Sequence, residues 1–95
     1  MIKVVAKHIV KKEKVEEFIT LAAKLEEATN KNDEGCIHYA LYQDVNNPQT
    51  LTFIEEWESK EALKKHMDAP HFQEVFPLLG ALLESEPDIG IYKKA

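Results

Sequence analysis

The chain has 95 residues, with 12 lysines, no arginine, 17 Asp+Glu and a formal net charge of -5. This length holds one domain over 1–95 and leaves no room for a second core. The acidic balance excludes nucleic acid as a natural partner, because that recognition rests on clustered Lys and Arg. With no arginine, the bidentate fork that clamps carboxylates and phosphates is missing too, and only lysine point charges remain.

Apolar residues make up 44% of the chain, enough for a globular core. A chain this short buries only about 60–65% of its unfolded surface. A roomy site inside it therefore calls for a partner surface. The single cysteine, Cys36, has no internal partner, which fits a reducing, cytoplasmic compartment. Lys3 and Lys7 interrupt the apolar N-terminal run, so no export signal is visible, and no stretch approaches a membrane span.

Residues 2–10 are rich in Ile and Val and predict a strand. Over 13–29 the period changes: Val15, Phe18, Ala22 and Leu25 follow helical spacing, with Glu16, Glu17, Lys24 and Glu27 opposite. The turn formers between Asn30 and Gly35 end that helix. Residues 36–44 and 50–58 predict a hairpin around the loop Val45–Gln49. Ser59 caps a helix over 60–67, and Pro70 opens a further helical stretch. Pro77 predicts a kink or restart there, with Leu78, Leu79, Leu82 and Leu83 as the apolar stripe. After Pro87, residues 88–92 predict a last strand.

The order β-α-β-β-α-β is the ferredoxin-like α+β pattern with a four-stranded antiparallel sheet. Apolar residues fall on both strand faces: Cys36, Ala40 and Tyr42 against Ile37, Tyr39 and Leu41, and Ile2, Val4, Ala6 and Val10 against Val5 and Ile9. Two helices cover only one face, so a second copy is expected on the other, as a homodimer.

Four histidines stand at 8, 38, 66 and 71. His66 lies on the apolar face of its helix and reads first as a hydrogen-bonded core histidine. His71 follows Pro70 and serves either the helix end or a ligand. His8 interrupts the apolar row of the first strand, and His38 shares a face with Cys36, Ala40 and Tyr42. No H-x-H, H-E-x-x-H or C-x-x-C spacing occurs, and His66 and His71, five apart across a proline, are not side by side on a helix. No metal site is expected, a site assembled from His8, His38 and a glutamate being the alternative.

Trp57 ends the third strand just before the helix of His66; it is a core residue or a pocket wall. Glu55 shares a face with Phe53 and Trp57. There it is either a carboxyl of raised pKa, suited to a general base, or carried to the rim by strand twist. Cys36 lacks basic neighbours and reads as an inert thiol. The lysines at 11, 12 and 14 form a solvated loop. No G-x-G-x-x-G is present, and residues 51–57 are acidic where an RNA-recognition sheet would be basic.

The segment from Trp57 through Ala62 to His66, followed by Ala69-Pro70-His71-Phe72, resembles the antibiotic-biosynthesis-monooxygenase (ABM) family of dimeric α+β barrel proteins. The remaining elements match as well, so 1–95 reads as a single ABM-type domain. The resemblance implies a cofactor-independent monooxygenase that oxidises a quinol-like or polyketide aromatic with O₂. It implies His66 and Trp57 as catalytic residues, with His8, Glu55, His71 and Phe72 around the substrate. The same family includes haem-degrading enzymes and an isomerase of a phosphorylated autoinducer. The first relies on an asparagine where this chain has Lys7-His8, and the second on a phosphate clamp. A small-ligand binding module without turnover is the non-enzymatic alternative.

Overall fold

In the computed structural model, residues 1–95 form strand β1 (Ile2–Ile9), a 3₁₀ turn (Lys12–Lys14) and helix α1 (Val15–Asn32). Strands β2 (Cys36–Gln43) and β3 (Thr50–Trp57) follow, then α2 (Lys60–Asp68), α3 (Pro70–Gly80) and β4 (Asp88–Lys93). The sheet is four-stranded and antiparallel, in the order β2-β3-β1-β4. This is the ferredoxin-like α+β architecture expected from the element order. No helix is long and apolar enough to cross a membrane.

Register explains how the core is filled. Tyr39, Glu55, Val4 and Ile91 lie in one row across the sheet, and Leu41, Phe53, Ala6 and Ile89 in the next. Both rows face the helices, where Phe18, Ala22, Leu25, Leu63, Val75 and Leu79 close over them. Side chains alternate along a strand, so these two rows form the floor beneath the helices. Trp57, Phe18 and Val10 are wholly buried.

The open face carries apolar and charged residues together, with Tyr42 and Tyr92 exposed on its flanking rows. A single row of Ala40, Ile54, Val5 and Gly90 crosses it. One flanking row carries Glu56 and Lys3, joined at 3.4 Å. The other carries Thr52, Lys7 and Asp88. In β2 the expected face assignment fails at one end. The register shifts between Cys36 and His38, so Cys36 pairs with Trp57 on the helix side and Ile37 bulges out, about half exposed. A bulge inserts one unpaired residue and reverses the alternation behind it.

Two helix boundaries also differ from expectation. The chain enters α1 through the 3₁₀ turn, and the helix continues through Asn30 to Asn32. The amides of Asn30 and Asn32 donate back to the carbonyls of Glu26 and Ala28, so these turn formers satisfy the last turn instead of ending it. Helix α3 passes through Pro77 without a restart, and Ala81 N–H still reaches the Pro77 carbonyl. Leu78 is exposed, while Leu82 and Leu83 lie beyond the helix, where Leu83 bridges to Val10. Ser59 behaves as expected, its Oγ accepting from Ala62 N–H at 3.1 Å.

Gly35 turns the chain from α1 into β2 at φ +81°, and a Cβ there would lie 2.6 Å from the Ala62 Cβ. Both the left-handed backbone and the close approach demand glycine. Gly35→Ala is expected to lower stability by about 3 kcal/mol, read from urea denaturation; an unchanged midpoint contradicts this account of the turn.

Candidate functional site

Between the helices and the sheet floor lies a cavity of about 280 Å³. Val4, Ala6, Tyr39 and Phe53 form its floor, Leu63, Met67, Phe72 and Phe76 its helical wall, and Ile89 and Ile91 its side at β4. Four titratable groups line this apolar space: His8, Tyr39, Glu55 and His66. A larger hollow of about 580 Å³ lies at the end of α3, and His8 is common to both. Glu84 and Glu86 line that hollow, so it lacks the apolar walls that hold an organic ligand.

His66 comes from the buried face of α2 and is 2% exposed. Its Nδ1 lies 2.6 Å from Asp33 Oδ2. A carboxylate only accepts, so Nδ1 carries the proton and donates. Nε2 is then a bare acceptor, buried and without a partner. His8 is held the same way: Nδ1 donates to the Ala6 carbonyl at 3.0 Å, and its buried Nε2 has no partner. Burial lowers the pKa of both rings. Asp33 partly opposes this at His66, and the Ala6 and Leu51 carbonyls oppose it at His8. Both imidazoles are neutral bases at neutral pH.

Glu55 is buried in the same space, and its Oε1 accepts from Trp57 Nε1 at 2.9 Å. Burial pushes its carboxyl up to about 7, against the opposing hydrogen bond from Trp57. Of the two readings of Glu55, the buried carboxyl is the one observed. Tyr39, beside it, has its phenol raised by burial and by the Glu55 charge, so it stays protonated.

Trp57 is wholly buried and does not line the cavity. It lies behind the wall, packed at a tilt against His66 with ring centres 4.7 Å apart while bonding Glu55. Trp57 thus contacts two of the groups that line the cavity, Glu55 and His66, without lining it itself. Phe72 lines the cavity and packs edge-on against His66 at 4.9 Å. His71 does not line it. Its Nε2 lies 2.8 Å from Asp33 Oδ1, an ion-pair contact whose angle falls short of a hydrogen bond. His38 is on the open face against the Tyr42 hydroxyl, and the Cys36 thiol, raised to about 11 by burial first of all, is inert.

Sequence reasoning missed Asp33, which reads locally as one of several turn formers. Pro70 holds Ala69 extended, and the break lets His66 and His71 reach one carboxylate with ring centres 6.2 Å apart. The expectation that a proline keeps them apart is thereby corrected. Tyr39 and the isoleucines of β4 were legible only as alternating strand residues.

Fold and cavity together define a ferredoxin-like α+β protein with a buried, mostly apolar site for a small molecule. The chain belongs to the antibiotic biosynthesis monooxygenase family, whose sequence model matches residues 1–77. A crystal structure of a conserved protein from Methanosarcina mazei Go1 is 49% identical, covers 99% of this chain and 92% of its own, and superposes with a TM-score of 0.96. The crystal structure of an antibiotic biosynthesis monooxygenase is 28% identical with a TM-score of 0.92, covering 100% of this chain and 99% of that one. Uncharacterized protein sll1783 of Synechocystis is 38% identical over 86 residues, 90% of this chain. The match spans only 58% of that relative's length.

The raised Glu55 pKa has a stability consequence. The folded state holds a proton that the unfolded chain releases near 4.5. The contribution of the neutral carboxyl is complete below that pH and is lost as pH rises through about 7. Relative to wild type, Glu55→Gln should gain up to about 3 kcal/mol between pH 5 and pH 8, measured by urea denaturation at each pH. A pH-independent difference would contradict the buried assignment.

Proposed function

We propose that this chain is a cofactor-independent monooxygenase that oxidises a hydroquinone-class or polyketide aromatic with O₂. One observation carries the reading: an apolar cavity lined by two neutral imidazoles, each with a buried and unpartnered Nε2, and by one carboxyl whose pKa is about 7. Unpartnered polar atoms in an apolar space are costly for a fold and useful for moving protons. The volume suits a molecule of one or two rings, at the small end of the usual ~300–1,000 Å³. Aromatic walls at Tyr39, Phe53, Phe72 and Phe76 suit a flat ring.

The chemistry balances without another reactant. Hydroquinone and O₂ give hydroxyquinone and water. One ring C–H becomes C–OH, both hydroxyls become carbonyls, and their hydrogens leave with the second oxygen atom. The substrate supplies all four electrons. His66 Nε2 takes a phenolic proton, with Nδ1 anchored on Asp33, and the resulting oxyanion passes an electron to O₂. Neutral Glu55 donates a hydrogen bond to that oxyanion, and the dry walls keep the interaction strong. A porphyrin is larger than the cavity, and the first strand has Lys7-His8 where the resemblance to haem-degrading proteins would call for an asparagine; both disfavour haem.

Oxygen uptake with a panel of reduced quinones tests this. Wild type should consume O₂ with at least one of them, and His66→Ala should lose about 10²–10⁴-fold in kcat/KM. Uptake with none removes the oxygenase reading and leaves a pocket that binds without turnover.

The reading includes a cytoplasmic homodimer joined through the open sheet face. The row of Ala40, Ile54, Val5 and Gly90 supports it, since no helix covers that face. Light scattering at micromolar concentration should give the mass of two chains, and Ile54→Lys that of one. A wild-type monomer removes the dimer.

A further inference from the structure

On the far side of His66 from the cavity, three donors converge from three separate segments. Asp33 follows α1, His66 comes from α2 and His71 opens α3, and their candidate ligand atoms all lie within 4.8 Å of one another. We propose that Asp33, His66 and His71 hold a divalent transition cation, zinc or a neighbouring d-block ion, with water completing its coordination. This goes beyond the oxygenase reading and does not depend on it.

Charge is the first argument. The Asp33 side chain is 8% exposed, and its only ion-pair partners are the two imidazoles. No lysine reaches it, and the chain has no arginine. A buried carboxylate needs a paired charge or a metal, and two imidazoles supply a permanent positive charge only when they bind a cation or a proton.

Geometry is the second argument. His71 Nε2 lies 2.8 Å from Asp33 Oδ1, yet it makes no hydrogen bond and is shielded from solvent. That buried nitrogen is left without a hydrogen-bond partner beside a carboxylate oxygen, and a shared ion would satisfy both. Ligand atoms around a tetrahedral ion with bonds of ~2.0–2.1 Å stand about 3.3 Å apart. The observed 2.6 and 2.8 Å separations, made to the two different oxygens of Asp33, need to open by less than an ångström, and the widest separation in the cluster, up to 4.8 Å, needs to close by about 1.5 Å to admit one.

The donor set and the surroundings fit as well. Two imidazoles and one carboxylate suit zinc, cobalt, nickel or ferrous iron, whereas magnesium and calcium prefer all-oxygen cages. A separate polar hollow of about 190 Å³, lined by Asn32, Asp33, Glu34, Lys65 and His66, gives an entry path and room for water. Binding displaces the Nδ1 proton of His66. The bound form then keeps its ring proton on Nε2, so the Nε2 that serves as base in the oxygenase reading is free only in the metal-free protein.

Direct binding tests the site without reference to turnover. Chelator-stripped protein titrated with Co(II) should develop the visible d–d absorption of a low-symmetry nitrogen and oxygen site, and Zn(II) should abolish it. At about 100 times its Kd, Zn(II) should raise Tm by roughly 10 °C or more. His71→Ala, at a partly exposed position, and Asp33→Asn should each weaken Co(II) at least tenfold, with circular dichroism confirming that both fold. His38→Ala and Cys36→Ser, outside the site, should bind as wild type does. No absorption band and no thermal shift at 1 mM metal (about the weak limit of specific binding) overturns the proposal. So does a His71→Ala protein of unchanged affinity; Asp33 is then joined to the histidines by hydrogen bonding and ion pairing alone.

Discussion

The buried carboxylate of Asp33 is the constraint on which the site depends. It stands where α1 ends and holds His66 of α2 by a 2.6 Å hydrogen bond, with His71 of α3 on its other oxygen. One side chain thus ties the helical layer together at the edge of the cavity. It also fixes which nitrogen of His66 carries the proton. Without that bond the ring would be free to present either tautomer, and the acceptor facing the cavity would not be assured. Trp57 completes the arrangement from behind, packing against His66 and bonding Glu55 with one indole ring.

The sheet contributes a floor whose composition follows from register alone. Because β1 and β3 pair with Val4 opposite Glu55 and His8 opposite Leu51, two polar residues enter otherwise apolar rows. A slip of one residue would send both to the open face beside Lys3 and Lys7. The neighbouring apolar residues hold that register, since they bury properly in only one alignment. Core packing and the placement of the reactive groups are therefore a single property of the sheet. The same floor that stabilises the domain leaves Glu55 and His8 in a dry place, where their proton affinities differ from those in water.

Family membership and site chemistry make different statements. The fold is shared with structures of low sequence identity, and folds of this kind host unrelated reactions. The site chemistry of this chain rests on a local set: two imidazoles of one tautomer, a carboxyl whose pKa is about 7, and aromatic side chains around the cavity. The absence of arginine acts in the same direction. It leaves no bidentate clamp for a phosphorylated ligand and turns attention to neutral, flat ones.

The sequence by itself determined the element order, the capping of α2 by Ser59, the buried rows of β1 and β3, and the candidacy of His66, Glu55 and His8. These rest on period, spacing and local chemistry, which a linear chain displays directly. The tertiary structure decided four things. It extended α1 to Asn32, through side-chain amides bonding back along the helix, and so set Asp33 against α2. A bulge at Ile37 turned Cys36 toward the helices. Trp57 went behind the cavity wall, while His71 was withdrawn from the cavity to Asp33. Each depends on a contact between segments distant in the chain: Asp33 is 33 residues from His66, and no local pattern records which distant partner a side chain will meet.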